Sequence, residues 1–197
     1  MFTDHTYYQQ GEFYIPNVKD ISAAPVDSPS TKSALEFLID KYEREHLLDV
    51  LGVEMYDQLK SANEDLENAD QKWQDLVNGC NYTLDGKHYR WDGLIGYEKN
   101  SLLAAYVFCK YLKNDYGTYT TTGIVINKPK NAVIVDPKRK YLTAWGIFIN
   151  LHQNDCDNNN VRSLWQFLND SNTLDATSFP NIEDYFKFYK HQNWAGI

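Results

Sequence analysis

The sequence predicts a mostly α-helical protein: a helical bundle of about five to six helices, with a β-hairpin at about 80–91 and an extended β tongue at about 116–135. Three observations carry this prediction. Apolar residues recur at spacings of three and four over most of the chain beyond residue 28. An Asp85-Gly86 turn signal lies between two short aromatic segments. A β-branched run with two glycines and a proline interrupts the helical pattern.

Residues 1–27 lack helical periodicity and are predicted to form an extended N-terminal arm, with a short strand at 12–15. Aromatic and polar residues alternate there, and Pro16 and Pro25 disfavour a helix. Residues 28–197 are predicted to form a single mainly helical domain from which the tongue protrudes. Because such arms often dock on a neighbouring chain, we expect three arm residues to contact another subunit: Phe13, Tyr14 and Ile15.

The first half of the helical domain is predicted to contain three helices. Ser30 or Thr31 can supply a helix cap, and the helix that follows ends or bends at Gly52. A short second helix continues to about Ala62. A weaker and more polar third helix is expected over 64–78.

Four further helices are predicted after the hairpin. The longest opens at Asp92-Gly93 and runs to about Asn114. After the tongue, Pro137 begins the next helix, because proline suits the first helical position. A helix over 161–169 and a last short helix from Ile182 complete the bundle.

The tongue, residues 116–135, cannot extend the helices that flank it, because it is β-branched and contains glycine and proline. We expect a strand, a hairpin or an ordered loop. Extended segments of this kind can add strands to the sheet of another chain. The tongue residues expected at a subunit interface are Tyr119, Thr121, Ile124, Val125, Ile126, Ile134 and Val135.

The chain is acidic, with 27 acidic and 19 basic residues and a net charge of -8. Such a chain is a poor general binder of phosphate backbones. Its one basic cluster is either a solvated turn or a contact for an acidic partner surface or nucleic acid, and consists of Lys128, Lys130, Lys138, Arg139 and Lys140. Three scattered cysteines indicate no disulfide framework. We expect an intracellular protein without a membrane partner, since there is no signal-peptide pattern and no apolar stretch of ~20 residues.

The sequence is poor in catalytic chemistry. His46 has the phase of apolar residues and is predicted to be a hydrogen-bonded histidine at the edge of the core. His152 and Cys156 lie four apart, but no second pair completes a zinc site. No phosphate-binding, dinucleotide-binding or nucleophile motif is present. We therefore predict no catalytic residue, no metal, no cofactor and no enzyme activity. A pocket that gathers His46 or His152 with several carboxylates would favour an enzyme instead.

Several stretches, taken in order, resemble a known group of proteins. They are 42–48 with Leu51-Gly52, the tryptophan and hairpin before Gly93-Leu94, and then 101–106, 121–123 and 141–148. This order resembles small uncharacterised proteins from phages and prophages of gut Bacteroidetes. Those proteins in turn look like the helical head–tail connector (adaptor) proteins of tailed phages. The resemblance spans roughly residues 35 to 170 and includes no catalytic motif.

The resemblance implies a structural virion protein. It would form an oligomeric ring of about twelve subunits below the portal, as part of the conduit for DNA packaging. Its partners would be further copies of itself and the phage portal and tail proteins, with DNA passing without sequence-specific binding. It would be located in the virion, and in the bacterial host cytoplasm during assembly. The alternative is a monomeric or dimeric protein-binding module of phage or prophage origin with no catalytic activity.

Overall fold

The computed structural model describes residues 1–15, 31–97, 100–115, 118–120, 123–125, 137–154 and 160–191. The chain is mostly helical and carries antiparallel hairpins, which confirms the predicted fold class. Its helices are α1 (Thr31–Ala62), α2 (Gln71–Asn78), α3 (Leu102–Lys110), α4 (Pro137–His152), α5 (Leu164–Leu174) and α6 (Ile182–Tyr185). Its strands are β1 (Cys80–Leu84), β2 (Lys87–Trp91), β3 (Thr118–Thr120) and β4 (Gly123–Val125).

Helix α3 lies at the centre of the molecule. Every residue from Leu102 to Cys109 is buried, and the helix packs against both α1 and α4. A helix that is apolar on all sides must be enclosed by other elements. Ser101 begins the helix, since its side chain accepts a hydrogen bond from the Ala104 N–H and donates one to the Leu94 carbonyl.

The prediction that this helix opens at Asp92-Gly93 is wrong. Gly93 and Gly96 both have positive φ, 83° and 70°. A Cβ atom at Gly96 would collide with the Asn100 carbonyl oxygen. The chain therefore makes a tight loop before the helix, because only glycine accepts this backbone geometry at close approach.

Gly52 bends α1, as predicted. Its backbone is non-helical, with φ 70° and ψ 174°, and the ring of Tyr185 lies against it. The predicted third helix over 64–78 is instead a 3-10 segment, Asn63–Asn68, followed by α2. The Asp65 carboxylate accepts a hydrogen bond from the Asn68 side chain, and such local bonds compete with a continuous helix.

The β1–β2 hairpin forms in the predicted position. Its register pairs Cys80 with Trp91 and Leu84 with Lys87, and the turn has positive φ at both central residues, Asp85 and Gly86. This matches the hairpin preference of Asp-Gly. The hairpin packs on α5 through stacking of Trp91 on Phe167, with ring centroids 5.3 Å apart.

The end of the described chain crosses the helices as a short extended segment, residues 186–191, called here the C-terminal strap. The predicted last helix therefore ends earlier than expected, at Tyr185. Side chains of α4 and of the residue after it bind the strap: Trp145 donates to the Lys190 carbonyl, and Gln153 exchanges two hydrogen bonds with the Tyr189 backbone. Among the described residues, no helix is long and apolar enough to cross a membrane.

The first fifteen residues fold back on the helices instead of extending away from them. A 3-10 segment, His5–Tyr8, replaces part of the expected extended arm, and the predicted strand at 12–15 is absent. Tyr8 is fully buried and Phe13 packs on Phe108 of α3, with ring centroids 5.7 Å apart. The prediction of an extended arm is thus wrong for residues 1–15, because their aromatic residues are needed in the core. Residues 16–27 lie outside the described residues.

Glu43 of α1 holds this N-terminal segment. Its carboxylate accepts hydrogen bonds from the Phe2 N–H, the Thr3 N–H and the Thr3 hydroxyl, at 2.8, 2.7 and 2.5 Å. Glu43 is only 2% exposed. Burial raises the pKa of the Glu43 carboxyl, and the bonds from Thr3 and Phe2 oppose that rise.

Replacing Glu43 with alanine should therefore loosen the N-terminal segment. We expect Glu43→Ala to lower the free energy of unfolding by about 2–4 kcal/mol, because buried donors lose their acceptor. Urea denaturation would measure this. Glu54→Ala on the exposed side of the same helix is the matched control and should change stability by less than about 0.5 kcal/mol. Equal losses in the two variants would contradict this role for Glu43.

Candidate assembly surface and a buried histidine pair

The tongue begins as a β-hairpin. Strands β3 and β4 pair antiparallel, with Thr118 opposite Val125 and Tyr119 opposite Ile124. They form a sheet separate from the β1–β2 sheet. Within the part of the chain that the structure describes, β3 and β4 pair with no strand but each other. The outer edges of this hairpin therefore offer backbone groups to which a further strand can add.

The tongue lies in the chain between helices α3 and α4. A single π-helical turn, Tyr111–Asp115, follows α3 and leads to β3. After the tongue, α4 begins at Pro137, as predicted. Helices α3 and α4 pack against each other more extensively than any other pair of described helices.

The structure divides the predicted interface residues into three groups. Tyr119, Ile124 and Val125 lie in the β3–β4 hairpin. Phe13 and Ile15 are each 3% exposed and belong to the core of their own chain, so their prediction as subunit contacts is wrong, whereas the neighbouring Tyr14 is exposed. The remaining predicted residues lie outside the described ones: Thr121, Ile126, Ile134 and Val135.

The basic cluster begins helix α4, next to the tongue. Lys138, Arg139 and Lys140 are all exposed in its first turn, while Lys128 and Lys130 lie outside the described residues. Cations are disfavoured at a helix N-terminus, because the helix dipole is positive there. Three of them in one turn make this end of α4 strongly positive, although the chain as a whole is acidic.

A second feature of the structure, separate from the tongue, is a pair of buried imidazoles. His46 of α1 and His152 of α4 are both fully buried, and their ring centroids are 5.1 Å apart. Aromatic rings from α3, α4 and the C-terminal strap surround them and form with them a buried aromatic box: Tyr106, Phe148, Phe186 and Tyr189. The sequence does not reveal this contact, although His152 continues the inward spacing of Trp145 and Phe148.

His46 differs from its prediction in two respects, the first being that it is fully buried and does not lie at the edge of the core. It was expected to be hydrogen-bonded, but neither of its ring nitrogens has a hydrogen-bond partner. His152 does have one: its Nε2 lies 2.9 Å from the Lys187 carbonyl oxygen. A carbonyl can only accept, so Nε2 carries the proton and Nδ1, which has no partner, carries the lone pair.

Both imidazoles are held in the neutral form. Burial lowers the pKa of His152 to about 4. The pKa of His46 lies well below its ordinary value, because of burial first and then the neighbouring His152, Lys187 and Lys110. A buried ring that is charged would have to give up hydration without gaining an acceptor.

The nearby carboxylates serve other partners. Glu45 accepts from the Tyr106 hydroxyl and from Lys110, at 3.0 and 2.6 Å. Asp49 accepts from the Tyr189 hydroxyl and from Lys187, at 3.2 and 2.6 Å.

Among the described residues, neither imidazole has a carboxylate as a hydrogen-bond partner. The carboxylates bind tyrosine and lysine side chains at the edge of the box and do not reach the imidazoles. Among the described residues, no group of three or more histidine, cysteine, aspartate or glutamate side chains could hold a metal ion.

One family comparison bears on the tongue region. Residues 47–144 match the model of a family described as a family of unknown function, DUF6712. The chain is similar to this family over just under half of its length. The matched stretch runs from the second half of α1 through α3 and the tongue to the first half of α4. Comparison with curated proteins and with solved structures gave no match.

The two histidines should respond differently to replacement by leucine, which is close to histidine in volume. His46→Leu removes two unpartnered nitrogens, so we expect the free energy of unfolding at neutral pH to stay the same or rise by about 1 kcal/mol. His152→Leu leaves the Lys187 carbonyl without its donor and should cost about 1–3 kcal/mol. Urea denaturation of both variants would measure the difference. A larger loss for His46→Leu than for His152→Leu would contradict the hydrogen-bond assignment.

Proposed function

We propose that the protein is a structural virion protein of the head–tail connector (adaptor) class. It assembles into a ring of about twelve subunits below the portal and forms part of the DNA conduit. The observation that carries the proposal is the β3–β4 hairpin, which lies between α3 and α4 in the chain and forms a sheet of its own. The second support is the resemblance of the ordered sequence stretches to phage and prophage proteins that look like head–tail connectors, which suggests that the hairpin contacts a neighbouring subunit of a ring.

The hairpin has a physical reason to seek a partner. Only three residue pairs join β3 and β4, and an isolated two-stranded hairpin is at best marginally stable in water. Pairing with a strand of a neighbouring subunit adds backbone hydrogen bonds and covers the β-branched side chains. The stabilisation of the tongue is then a consequence of assembly.

A ring requires two different surfaces that fit each other. The tongue and the basic turn at Lys138–Lys140 supply one of them. The chain is otherwise strongly acidic, so an acidic face of the next subunit is the natural complement. Opposite potentials of this kind guide encounter and fix the relative orientation of subunits.

The same charge balance suits a channel for DNA. A net charge of -8 limits phosphate neutralisation, so DNA can pass without being held. The proposed partners are the portal above, the tail proteins below and further copies of the chain. The proposed location is the virion, after assembly in the host cytoplasm.

One observation favours the second candidate, a monomeric or dimeric protein-binding module of phage or prophage origin without catalytic activity. Phe13 and Ile15 were expected to reach a neighbouring subunit, but they are buried in their own chain. This leaves the tongue as the main candidate for contacts between subunits. A binding module would use the same hairpin on a different protein.

Replacing residues 118–135 with a Gly-Ser linker of about eight residues should separate folding from assembly. The helices should remain folded, because the described strands of the tongue pair only with each other, and assembly should be lost. Light scattering over a wide concentration series, with negative-stain images of the most concentrated samples, would compare the variant with the wild type. We expect closed rings for the wild type and monomers for the variant.

Circular dichroism and thermal unfolding would control for loss of fold in the linker variant. Rings formed by both proteins would show that the tongue is not the assembly element. A wild type that stays monomeric at all concentrations, and also in the presence of a phage portal ring, would contradict the connector proposal and favour the binding module.

The basic turn should contribute to assembly but not to folding. The triple variant Lys138→Gln, Arg139→Gln and Lys140→Gln should unfold within about 0.5 kcal/mol of the wild type, because all three side chains are exposed. Its assembly should be weaker and less dependent on salt. Light scattering at low and high salt would measure both effects. The exposed pair Lys60→Gln and Lys87→Gln is the control, and an equal loss of assembly in that pair would contradict a specific basic contact.

A further inference from the structure

The proposed assembly function makes no use of the two buried imidazoles beneath the C-terminal strap. His46 and His152 are in contact and fully buried. Three of their four ring nitrogens have no hydrogen-bond partner. The fourth, Nε2 of His152, donates to the backbone carbonyl of Lys187 in the strap. A titratable pair therefore lies directly against the segment that covers it.

We propose that the His46–His152 pair makes the C-terminal strap an acid-released latch. At neutral pH the uncharged rings pack under the strap and hold it by one hydrogen bond. In acid, His152 becomes protonated and its charged ring needs hydration. The strap then lifts from α4, and water reaches both rings.

The closed box cannot accommodate the second proton on His152. Nε2 already carries a proton, so the incoming one binds Nδ1, which has no acceptor. The faces of the ring stack on Phe148 and Phe186, with centroids 5.1 and 4.5 Å away. Attraction between a cation and these rings does not replace the lost hydration, since burying an unpaired charge is far more costly.

The charges around His152 identify it as the first ring to be protonated. Asp49 of α1 favours a positive charge there, as does the Lys187 carbonyl of the strap. Burial acts in the opposite direction and is the largest effect, so the pKa of His152 in the closed state is about 4. The ring itself is fully buried, so a proton reaches it only when the box opens.

The charges around His46 all oppose its protonation. Lys110 on α3, Lys187 on the strap and His152 on α4 are the positive or titratable groups that face it. Glu45, the adjacent carboxylate of α1, binds Lys110 and the Tyr106 hydroxyl instead. His46 therefore takes up a proton only after the strap has opened.

The strap is the element that can move at least cost. Apart from the His152 bond, it makes hydrogen bonds with Trp145 of α4, with Gln153 and with Asp49 of α1. The rings of Phe186 and Tyr189 also pack against the two imidazoles. Lys187 is about half exposed in its ion pair with Asp49, and exposed ion pairs contribute little. Because the strap is not helical and lies at the end of the described chain, it can open without unfolding a core helix such as α3.

The sign of the pH dependence follows from proton binding in the two states. In the open state the histidines regain an ordinary pKa of about 6.5. Between that pH and the closed-state pKa of about 4 for His152, the open state binds more protons, so opening becomes easier as pH falls. From about pH 7.5 to pH 5.0, the opening equilibrium rises roughly 30-fold if one histidine becomes hydrated and nearly 1000-fold if both do.

Hydrogen exchange measured by mass spectrometry on the whole chain tests the latch. The reporters are the strap amides of Lys187 and Tyr189, which donate to the Asp49 carbonyl and the Gln153 side chain. Protection factors, corrected for the intrinsic effect of pH, should fall by at least about 30-fold between pH 7.5 and 5.0. Amides of α3 should retain their protection over the same range, since they report global unfolding.

Two variants connect the response to the buried pair. In the double variant His46→Leu and His152→Gln, nothing titrates in the box, and the glutamine amide can still donate to the Lys187 carbonyl. Its strap protection should be independent of pH. The control is His191→Gln, which removes an exposed histidine of the strap itself, bonded to Asn154, and should leave the wild-type response unchanged.

Three results would overturn the latch. Strap protection in the wild type that does not change with pH would exclude it. Equal losses in the strap and in α3 would show global unfolding. Loss of the response in His191→Gln would assign it to the exposed histidine. Because the first two are measured on the wild type, they decide the matter even if the double variant fails to fold.

Discussion

The architecture depends on the complete burial of α3. Eight successive residues of this helix, from Leu102 to Cys109, are enclosed, which is possible only if α1, α4 and the folded-back N-terminal segment all pack around it. The loop before α3 must therefore turn sharply, and two glycines with positive φ provide that turn. The chain leaves the far end of α3 as the tongue and returns in α4. The tongue thus follows, in the chain, a helix whose residues 102–109 are all buried.

Buried polar groups fix the segments that cover this core. Glu43 holds the N-terminal residues through three donors, and His152 holds the C-terminal strap through one carbonyl. A buried polar group is costly unless it is hydrogen-bonded. The Glu43 carboxylate meets this requirement by accepting three hydrogen bonds, and the neutral His152 ring meets it in part, in the one tautomer that carries its proton on Nε2. The two covering segments differ in one respect. The Glu43 carboxylate has three hydrogen-bond donors, whereas three nitrogens of the histidine pair have no partner. For this reason we propose that the attachment of the strap, unlike that of the N-terminal segment, depends on pH.

The sequence predicted those features that depend on local chemistry. Asp85-Gly86 set the hairpin turn, Gly52 bent α1, and Pro137 began α4, because each needs only a backbone preference. It failed where distant residues decided the result. The start of α3 was misplaced because Gly96 approaches Asn100 in a loop that no periodicity reveals. The pattern of aromatic residues in the N-terminal segment is compatible both with an arm that docks on another chain and with a segment buried in its own core. The histidine pair could not be predicted because the contact between His46 and His152 joins two helices, α1 and α4, that are distant in the chain, and spacing along one helix cannot show it. The tongue was located because β-branched residues between two helices cannot continue either of them.

A helical body thus carries a hairpin that, as we propose, gains its stability from a neighbouring chain. The most direct measurement of that claim is hydrogen exchange of the β3–β4 segment at increasing protein concentration, with the β1–β2 hairpin of the same molecule as reference. If the tongue pairs between subunits, its amides become protected as rings form, while the amides of β1–β2 stay unchanged. Rings that form while the tongue amides still exchange as fast as in the monomer would contradict the account.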